Sequence, residues 1–313
     1  MQIDAALDVA GSSLESICLF GGEPLLPETK TSLEYLVSKA PDVSYGMYTN
    51  GYYLLDFFDI LSKVKIDRII VTLDGEKHTH DNRRFTADGS PTFDKIMQGI
   101  EKYLGNKIPI HIRFNVDKGN FDECNRLKNS LSSLFNKHLE FLSFEVAPML
   151  SSTTDEKTDL TAKIYHSDIE YSTEERMRRS RLLEGSSILG VFAGATDQLK
   201  PTYCFCDAHM KAIAFDPYGQ MYSCLVSVGM ERFSVGTYYP TINFKEDSLY
   251  NRNIETIPEC RECIYALVCG GGCAMPLANS ESLLRPVCSR THDKIHEILP
   301  RLYRLEQAKP KSL

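Results

Sequence analysis

Apolar and polar positions in the first half of the chain alternate between two periods. Short apolar runs occur at Glu15–Phe20, Ser44–Tyr48, Arg68–Leu73, Ile110–Val116 and Leu142–Ala147. Between them lie stretches whose apolar residues recur every three or four positions: Thr29–Ser38, Leu54–Lys63, Phe93–Leu104 and Phe121–Leu134. The runs predict strands and the stretches predict helices. Strands separated by single helices form βαβ units and a parallel sheet, either doubly wound or most of a barrel. Ser90 is the expected N-cap of the helix at Phe93, with Pro91 at N1, where a missing N–H costs nothing. Nearly every strand ends in a polar or glycine-rich cluster: Gly-Gly-Glu-Pro after Phe20, Thr-Asn-Gly after Tyr48, an eight-residue polar run after Leu73, and Asp-Lys-Gly-Asn after Val116. Ligands of parallel α/β folds bind at the carboxyl ends of strands, so a site is expected in these loops.

The alternation stops near Pro148. Residues 151–200 are polar and turn-rich and read as a connector, with one helix opening at Ser172 through the capping box Ser172-x-x-Glu175. Beyond Cys204 the pattern changes again. Ile213–Phe215 and Met221–Cys224 read as strands around the turn Asp216-Pro217-Tyr218-Gly219. Ser289–Gln307 is helical in pattern, with a kink expected at Pro300. The predicted divisions are 1–150, 151–200, 201–292 and a C-terminal helix and tail at 293–313.

Composition narrows the function classes. The chain has 313 residues, 42% hydrophobic and 25% charged, which is ordinary globular usage and enough to bury a core. Its net charge of −7 gives no general attraction to phosphate backbones, so nucleic acid is not an expected partner. No run approaches the ~18–20 consecutive apolar residues of a membrane span. The N-terminal stretch has no basic segment followed by an apolar block. A soluble, cytoplasmic protein with no membrane partner is expected.

The ten cysteines are unevenly placed. Cys18 and Cys124 lie in the first 203 residues; Cys204, Cys206, Cys224, Cys260, Cys263, Cys269, Cys273 and Cys288 fall within the next 85. A secreted disulfide scaffold would be short and rich in cysteine throughout. Here a cysteine-poor segment precedes a cysteine-rich one, which points to metal. Cys260-x2-Cys263 places two thiolates on one tight turn. The glycines of Cys269-Gly-Gly-Gly-Cys273 let backbone N–H groups approach sulfur, as around iron–sulfur clusters. Eight thiols divide into two four-thiolate sites, and spacing alone leaves iron–sulfur and structural zinc both open.

Phe20-Gly21-Gly22-Glu23-Pro24-Leu25-Leu26 resembles the GGEP motif of radical S-adenosylmethionine (radical SAM) enzymes. The pattern C-x12-G-x4-C, C-x2-C-x5-C-x3-C and a final Cys is similar, cysteine for cysteine, to the SPASM domain of peptide- and protein-modifying members. Tyr48-Thr49-Asn50-Gly51 and the run from Val71 to Arg83 extend the likeness over most of the chain. The resemblance implies a partial (β/α) barrel lacking its first strand, followed by a small SPASM domain. It implies cofactor contacts from Gly21, Gly22, Glu23, Pro24 and Asn50, with Glu23 accepting hydrogen bonds from the methionine ammonium. Thr72 sits where the family often has a cofactor-contacting Ser, and Arg113 could pair with the cofactor carboxylate. It also implies two auxiliary [4Fe–4S] clusters. Cys206, Cys224 and Cys273, with Cys204 the nearest fourth ligand, would hold one; Cys260, Cys263, Cys269 and Cys288 would hold the other.

The family's radical-forming cluster is held by Cys-x3-Cys-x2-Cys after the first barrel strand, and this chain contains no such triplet. A third [4Fe–4S] cluster is therefore expected only if a preceding segment supplies it. Cys18, a lone thiol in a strand, is expected to be a buried core residue, and Cys124 helix filler. His78 and His80 read as hydrogen-bonding residues of a loop. Arg176, Arg178, Arg179 and Arg181 read as a solvated helix face. Cys224 is followed by Leu225, where sulfatase-maturing relatives carry an Asp, which counts against that activity.

Three readings remain. In a complete enzyme of this type, S-adenosylmethionine yields a 5′-deoxyadenosyl radical that abstracts hydrogen from a peptide or protein substrate. The outcome would be a crosslink, an oxidised residue or an epimer, with a flavodoxin or ferredoxin as reductant. A non-catalytic binding or electron-relay protein, or half of a split enzyme, is the alternative. A misassigned or truncated start at Met1 is favoured, because GGEP and all the SPASM cysteines are intact.

Overall fold

Strands β1 (Ser16–Leu19), β2 (Ser44–Thr49), β3 (Lys65–Leu73), β4 (Ile110–Val116) and β5 (Leu142–Pro148) form one parallel sheet in chain order. The computed structural model describes residues 2–117, 119–148, 201–206 and 212–288. They fall into two units: residues 13–148, and residues 2–12 together with 201–206 and 212–288. The expected connector at 151–200, with the Ser172 helix and the four arginines, lies outside the described residues, as does the C-terminal helix at 293–313.

The helices of the first unit are α2 (Lys30–Lys39), α3 (Leu54–Leu61), α4 (Lys77–Arg83), α5 (Phe93–Gly105) and α6 (Phe121–Leu134). Helix α1 (Gln2–Ala10) precedes them in sequence. One face of the sheet carries Met47, Ile69, Val71, Leu73, Ile112 and Phe114, all buried in a single apolar core with Leu33, Phe57, Ile100 and Leu131 of the helices. Val, Ile and Leu at alternate strand positions meet the three-to-four spacing of the helices, so burial of both stripes drives this packing. The opposite face is polar: Thr72, Arg113 and Glu145 are cross-strand neighbours in one row, and His111 and Ser143 in the next. Among the described residues the sheet is open, as in a partial barrel.

Helix α5 starts at Phe93, with Thr92 as N-cap, rather than at Pro91. Asp81 is the reason: its Oδ1 accepts from the backbone N–H groups of both Thr92 and Phe93 at 2.9 Å. The cap comes from α4, eleven residues before Thr92, and Pro91 instead pairs with Phe85 in an isolated bridge. Cys18 also departs from expectation. It is exposed on the polar face of β1, not buried, because its parity in the strand opposes that of Ile17 and Leu19. Cys124 is buried in the core on α6.

The second unit is built differently. β6 (Ala214–Phe215), β7 (Gln220–Tyr222), β8 (Ser234–Thr237) and β9 (Asn243–Phe244) form a short antiparallel sheet. The β6–β7 turn is closed by Asp216, whose Oδ1 accepts from the N–H groups of Tyr218 and Gln220. Among the described residues, two small apolar clusters are buried here, one around Tyr222, Phe233, Leu249 and Leu283, the other around Ile254 and Ile257. A single turn of helix, α7 (Ala266–Cys269), ends at Gly270 in the left-handed conformation.

Candidate functional site: strand ends and a double thiol centre

The loop after β1 is fastened to the loop after β2 through one carboxylate. Glu23 Oε1 accepts from the Leu25 N–H at 3.0 Å and the Thr49 hydroxyl at 2.6 Å, while Oε2 accepts from the Asn50 N–H at 2.6 Å. A carboxylate offers about four acceptor positions, so one on Oε2 remains for an added donor such as an ammonium. Leu25, fully buried, anchors the loop from below. Gly21 and Gly22 hold φ of 92° and 53° with open space where a Cβ would stand. That conformation suits glycine and leaves the main chain uncovered for a ligand. The Pro24 carbonyl accepts from the Thr29 hydroxyl. The Asn50 side-chain carbonyl accepts from the Tyr52 N–H at 2.8 Å, so it shapes its own turn.

At the end of β3, Asp74 binds Arg84 Nε through Oδ2 at 2.7 Å, and its buried Oδ1 has no partner among the described residues. An acceptor left over at a strand's carboxyl end is a position a ligand donor can fill. His80 lies on helix α4, not in a loop, and is wholly buried. Its Nδ1 accepts from the Asp74 N–H and its Nε2 faces Thr92 Oγ1, whose own hydroxyl donates to the Arg84 carbonyl. The ring must therefore be neutral with the proton on Nε2. Burial pushes its pKa down to about 4. His78 is exposed beside Asn82, so the two histidines do not face a common point.

On the polar face, Thr72 and Arg113 are register partners. Arg113 lies 3.9 Å from Glu145, which also meets His111 Nε2 at 3.2 Å; His111 Nδ1 meets Ser143 at 2.9 Å. The His111 hydrogen bond, seconded by Arg113, holds the Glu145 carboxyl below its ordinary value against the effect of burial. His111, Ser143 and Glu145 were not singled out from sequence. Their signal was polar residues at alternate positions of β4 and β5, His111, Arg113 and Asn115 in one and Ser143 and Glu145 in the other.

In the second unit the glycine loop brings the cysteine segments together. A Cβ on Gly270 would stand 2.5 Å from the Cys204 carbonyl carbon and the Phe205 nitrogen. One on Gly272 would stand 2.1 Å from the Val287 carbonyl oxygen. The Cys204–Cys206 segment and the approach to Cys288 thus press on either side of the Cys269–Cys273 loop. Cys206, Cys224 and Cys273 line one cavity, together with Arg252. Cys204 is not among its lining residues. Cys260 is pushed up to about 11, first by burial and then by Cys269, Cys288 and Cys263 around it; Cys288 is raised by burial, Cys269 and Cys263. The thiols therefore form two neighbouring groups, Cys206/Cys224/Cys273 and Cys260/Cys263/Cys269/Cys288.

A single zinc with bonds of about 2.3 Å would draw tetrahedral thiolates to about 3.8 Å from one another. Among the described residues no three His, Cys, Asp or Glu side chains gather closely enough for one ion. Ser223, next to Cys224, adds a buried hydroxyl with no partner among the described residues. Thiol donors in two groups are the ligand chemistry of iron–sulfur clusters, and equally of structural zinc. No helix among the described residues is long and apolar enough to cross a membrane.

Residues 2–127 match the model of the radical SAM superfamily. An uncharacterized protein of Archaeoglobus fulgidus is 24% identical over 300 residues, 90% of this chain and 68% of the relative. GTP 3′,8-cyclase of Clostridium perfringens is 32% identical over 117 residues, 36% of this chain and 35% of the cyclase. Among solved structures, native anSMEcpe with bound AdoMet and Kp18Cys peptide superposes with a TM-score of 0.60 at 16% identity, covering 97% of this chain and 89% of that one. Streptococcus suis SuiB bound to S-adenosylmethionine superposes with a TM-score of 0.54 at 16% identity, covering 86% and 64%. These likenesses establish a shared fold.

Proposed function

We propose that this chain, whose residues 2–127 carry a radical SAM domain, serves as a peptide- or protein-modifying oxidoreductase with two auxiliary [4Fe–4S] clusters in its second unit. The observation that carries the reading is the gathering of the second unit's thiols into two neighbouring groups, one lining a cavity and the other four acting on one another's ionisation. Cys206, Cys224 and Cys273, with Cys204 the nearest further thiol in the chain, would hold one cluster. Cys260, Cys263, Cys269 and Cys288 would hold the other. The fold is that of anSMEcpe, seen with AdoMet and a peptide, which supports a peptide substrate here.

S-adenosylmethionine with a site-differentiated cluster supplies the 5′-deoxyadenosyl radical, the hard chemistry of this class. This chain's residues bind and orient. The spare acceptor position of Glu23 takes an ammonium proton, Gly21 and Gly22 leave the main chain open beside it, and Pro24 and Asn50 shape the two loops. Thr72 and Arg113 present a hydroxyl and a cation on the polar face. Arg113 can take a carboxylate only by sharing itself with Glu145. A flavodoxin or ferredoxin would supply electrons in the cytoplasm, where thiols stay reduced.

A second reading, a binding or electron-relay protein or half of a split enzyme, is favoured by one observation. The only thiols of the first unit are Cys18 and Cys124, far from a Cys-x3-Cys-x2-Cys triad. Residues 1–313 reconstituted alone are expected to bind S-adenosylmethionine and yield 5′-deoxyadenosine only at background. Production above background would overturn the claim that these residues lack the radical-forming ligands. The DNA upstream of the Met1 codon separates the readings: an in-frame Cys-x3-Cys-x2-Cys restores the enzyme, and a stop codon leaves the relay or split form.

A further inference from the structure

Arg252 carries no cysteine motif, yet it sits where the thiol-bearing segments converge. It is 4% exposed. Its Nε donates to the Leu283 carbonyl at 2.9 Å, Nη1 to Gly272 at 2.6 Å, and Nη2 to Gly271 at 2.9 Å and Arg285 at 3.0 Å. Gly271 and Gly272 lie between Cys269 of one thiol group and Cys273 of the other; Leu283 and Arg285 lead to Cys288. One guanidinium therefore joins the loop shared by both groups to the segment bearing the last cysteine.

Its donor count and charge say more. A guanidinium has five N–H donors, and four are spent on carbonyls. The fifth, on Nη1, has no acceptor among the described residues, while Arg252 lines the same cavity as Cys206, Cys224 and Cys273. On the other side, the position of a Cβ on Gly271 would lie 3.7 Å from Nη1 and 3.8 Å from Cys260 Sγ. No carboxylate pairs with Arg252 among the described residues. A buried cation solvated only by carbonyls is costly unless negative charge stands nearby. Thiolate-ligated clusters held by the Cys206/Cys224/Cys273 and Cys260/Cys263/Cys269/Cys288 groups would supply that charge.

The geometry points to Arg252 as the positioning residue and internal counter-cation shared by both cluster sites, its fifth N–H serving a sulfur of the Cys206/Cys224/Cys273 group. This inference rests on the two-cluster reading above. A cation and a donor beside a cluster stabilise its reduced, more negative state and raise its potential. A lysine in its place keeps the charge but cannot bridge four carbonyls.

The test compares the full-length chain with Arg252→Lys and Arg252→Gln after anaerobic reconstitution. The readouts are iron and sulfide per chain and redox titration followed by electron paramagnetic resonance. Arg252→Gln is expected to lose at least half its iron and to shift both clusters to more negative potentials. Arg252→Lys should recover the potentials but not the full iron content, with both signals falling in parallel. If Arg252→Gln assembles nothing, the parallel loss in Arg252→Lys carries the test. Variants matching wild type in iron and potential, or a change confined to one cluster, would overturn the inference alone. A wild-type chain that takes up no iron would instead overturn the two-cluster reading.

Discussion

The first unit is held together by its apolar stripes, and the second by what its cysteine loops are pinned to. In the first, five strands and their helices share one continuous core, and each element is long enough to declare its period. In the second, the described strands run two to four residues, and the described apolar clusters are two, small and separate. Glycines with no room for a Cβ, one buried arginine and the thiols themselves take the place of a core. Where apolar burial is small, metal binding becomes folding free energy. The two units should therefore fail under different insults.

Chelation under anaerobic conditions is the largest expected effect. Hydrogen exchange should show protection lost across residues 212–288 while β2 to β5 keep theirs. Uniform loss, or none, would erase the contrast. Phe57→Ala is the converse: a fully buried ring at the centre of the first core, its removal costing about 3–5 kcal/mol. Denaturant unfolding should show the first unit's midpoint fall while iron content stays at the wild-type value.

Glu23→Gln sharpens the site within the first unit. Its partners Leu25, Thr49 and Asn50 all donate to it, so the new amide must turn an N–H toward one of them. A loss of about 1–3 kcal/mol is expected from the unsatisfied group, with weaker S-adenosylmethionine binding by calorimetry; unchanged binding would remove Glu23 from the site. The effect of His80 is confined to acid pH and absent at neutrality. Its folded pKa of about 4 lies below the ordinary His value. Between these values the unfolded chain takes a proton that the folded chain refuses. Stability is thus full above about pH 6.5 and falls as pH drops toward 4, at most by about 1.4 kcal/mol per pH unit. His80→Gln should flatten that slope in pH-dependent denaturation of the first unit.

The same contrast governs what could be read from the chain. All five strands of the first unit and helices α2, α3, α5 and α6 were visible as periodic apolar patterns, because burial there is one-sided and regular. Helix α4 was not, since it buries only His80 and so shows no stripe. The start of α5 was misplaced because its cap, Asp81, arrives from another element. Cys18 was expected inside because a lone thiol in a strand is most often a buried core residue; here it stands on the polar face of β1. In the second unit, the cysteine spacing pointed to metal, while the division of the thiols into two named sets came from the family resemblance. β8 and β9 are too short to show a period, and Arg252 acts through three segments that meet only in space.

The central claim is that the second unit is folded around two four-iron clusters. Iron, acid-labile sulfide and zinc should be measured per chain on the anaerobically reconstituted wild type. The account predicts about eight irons and about eight sulfides; two zincs with no sulfide would contradict it.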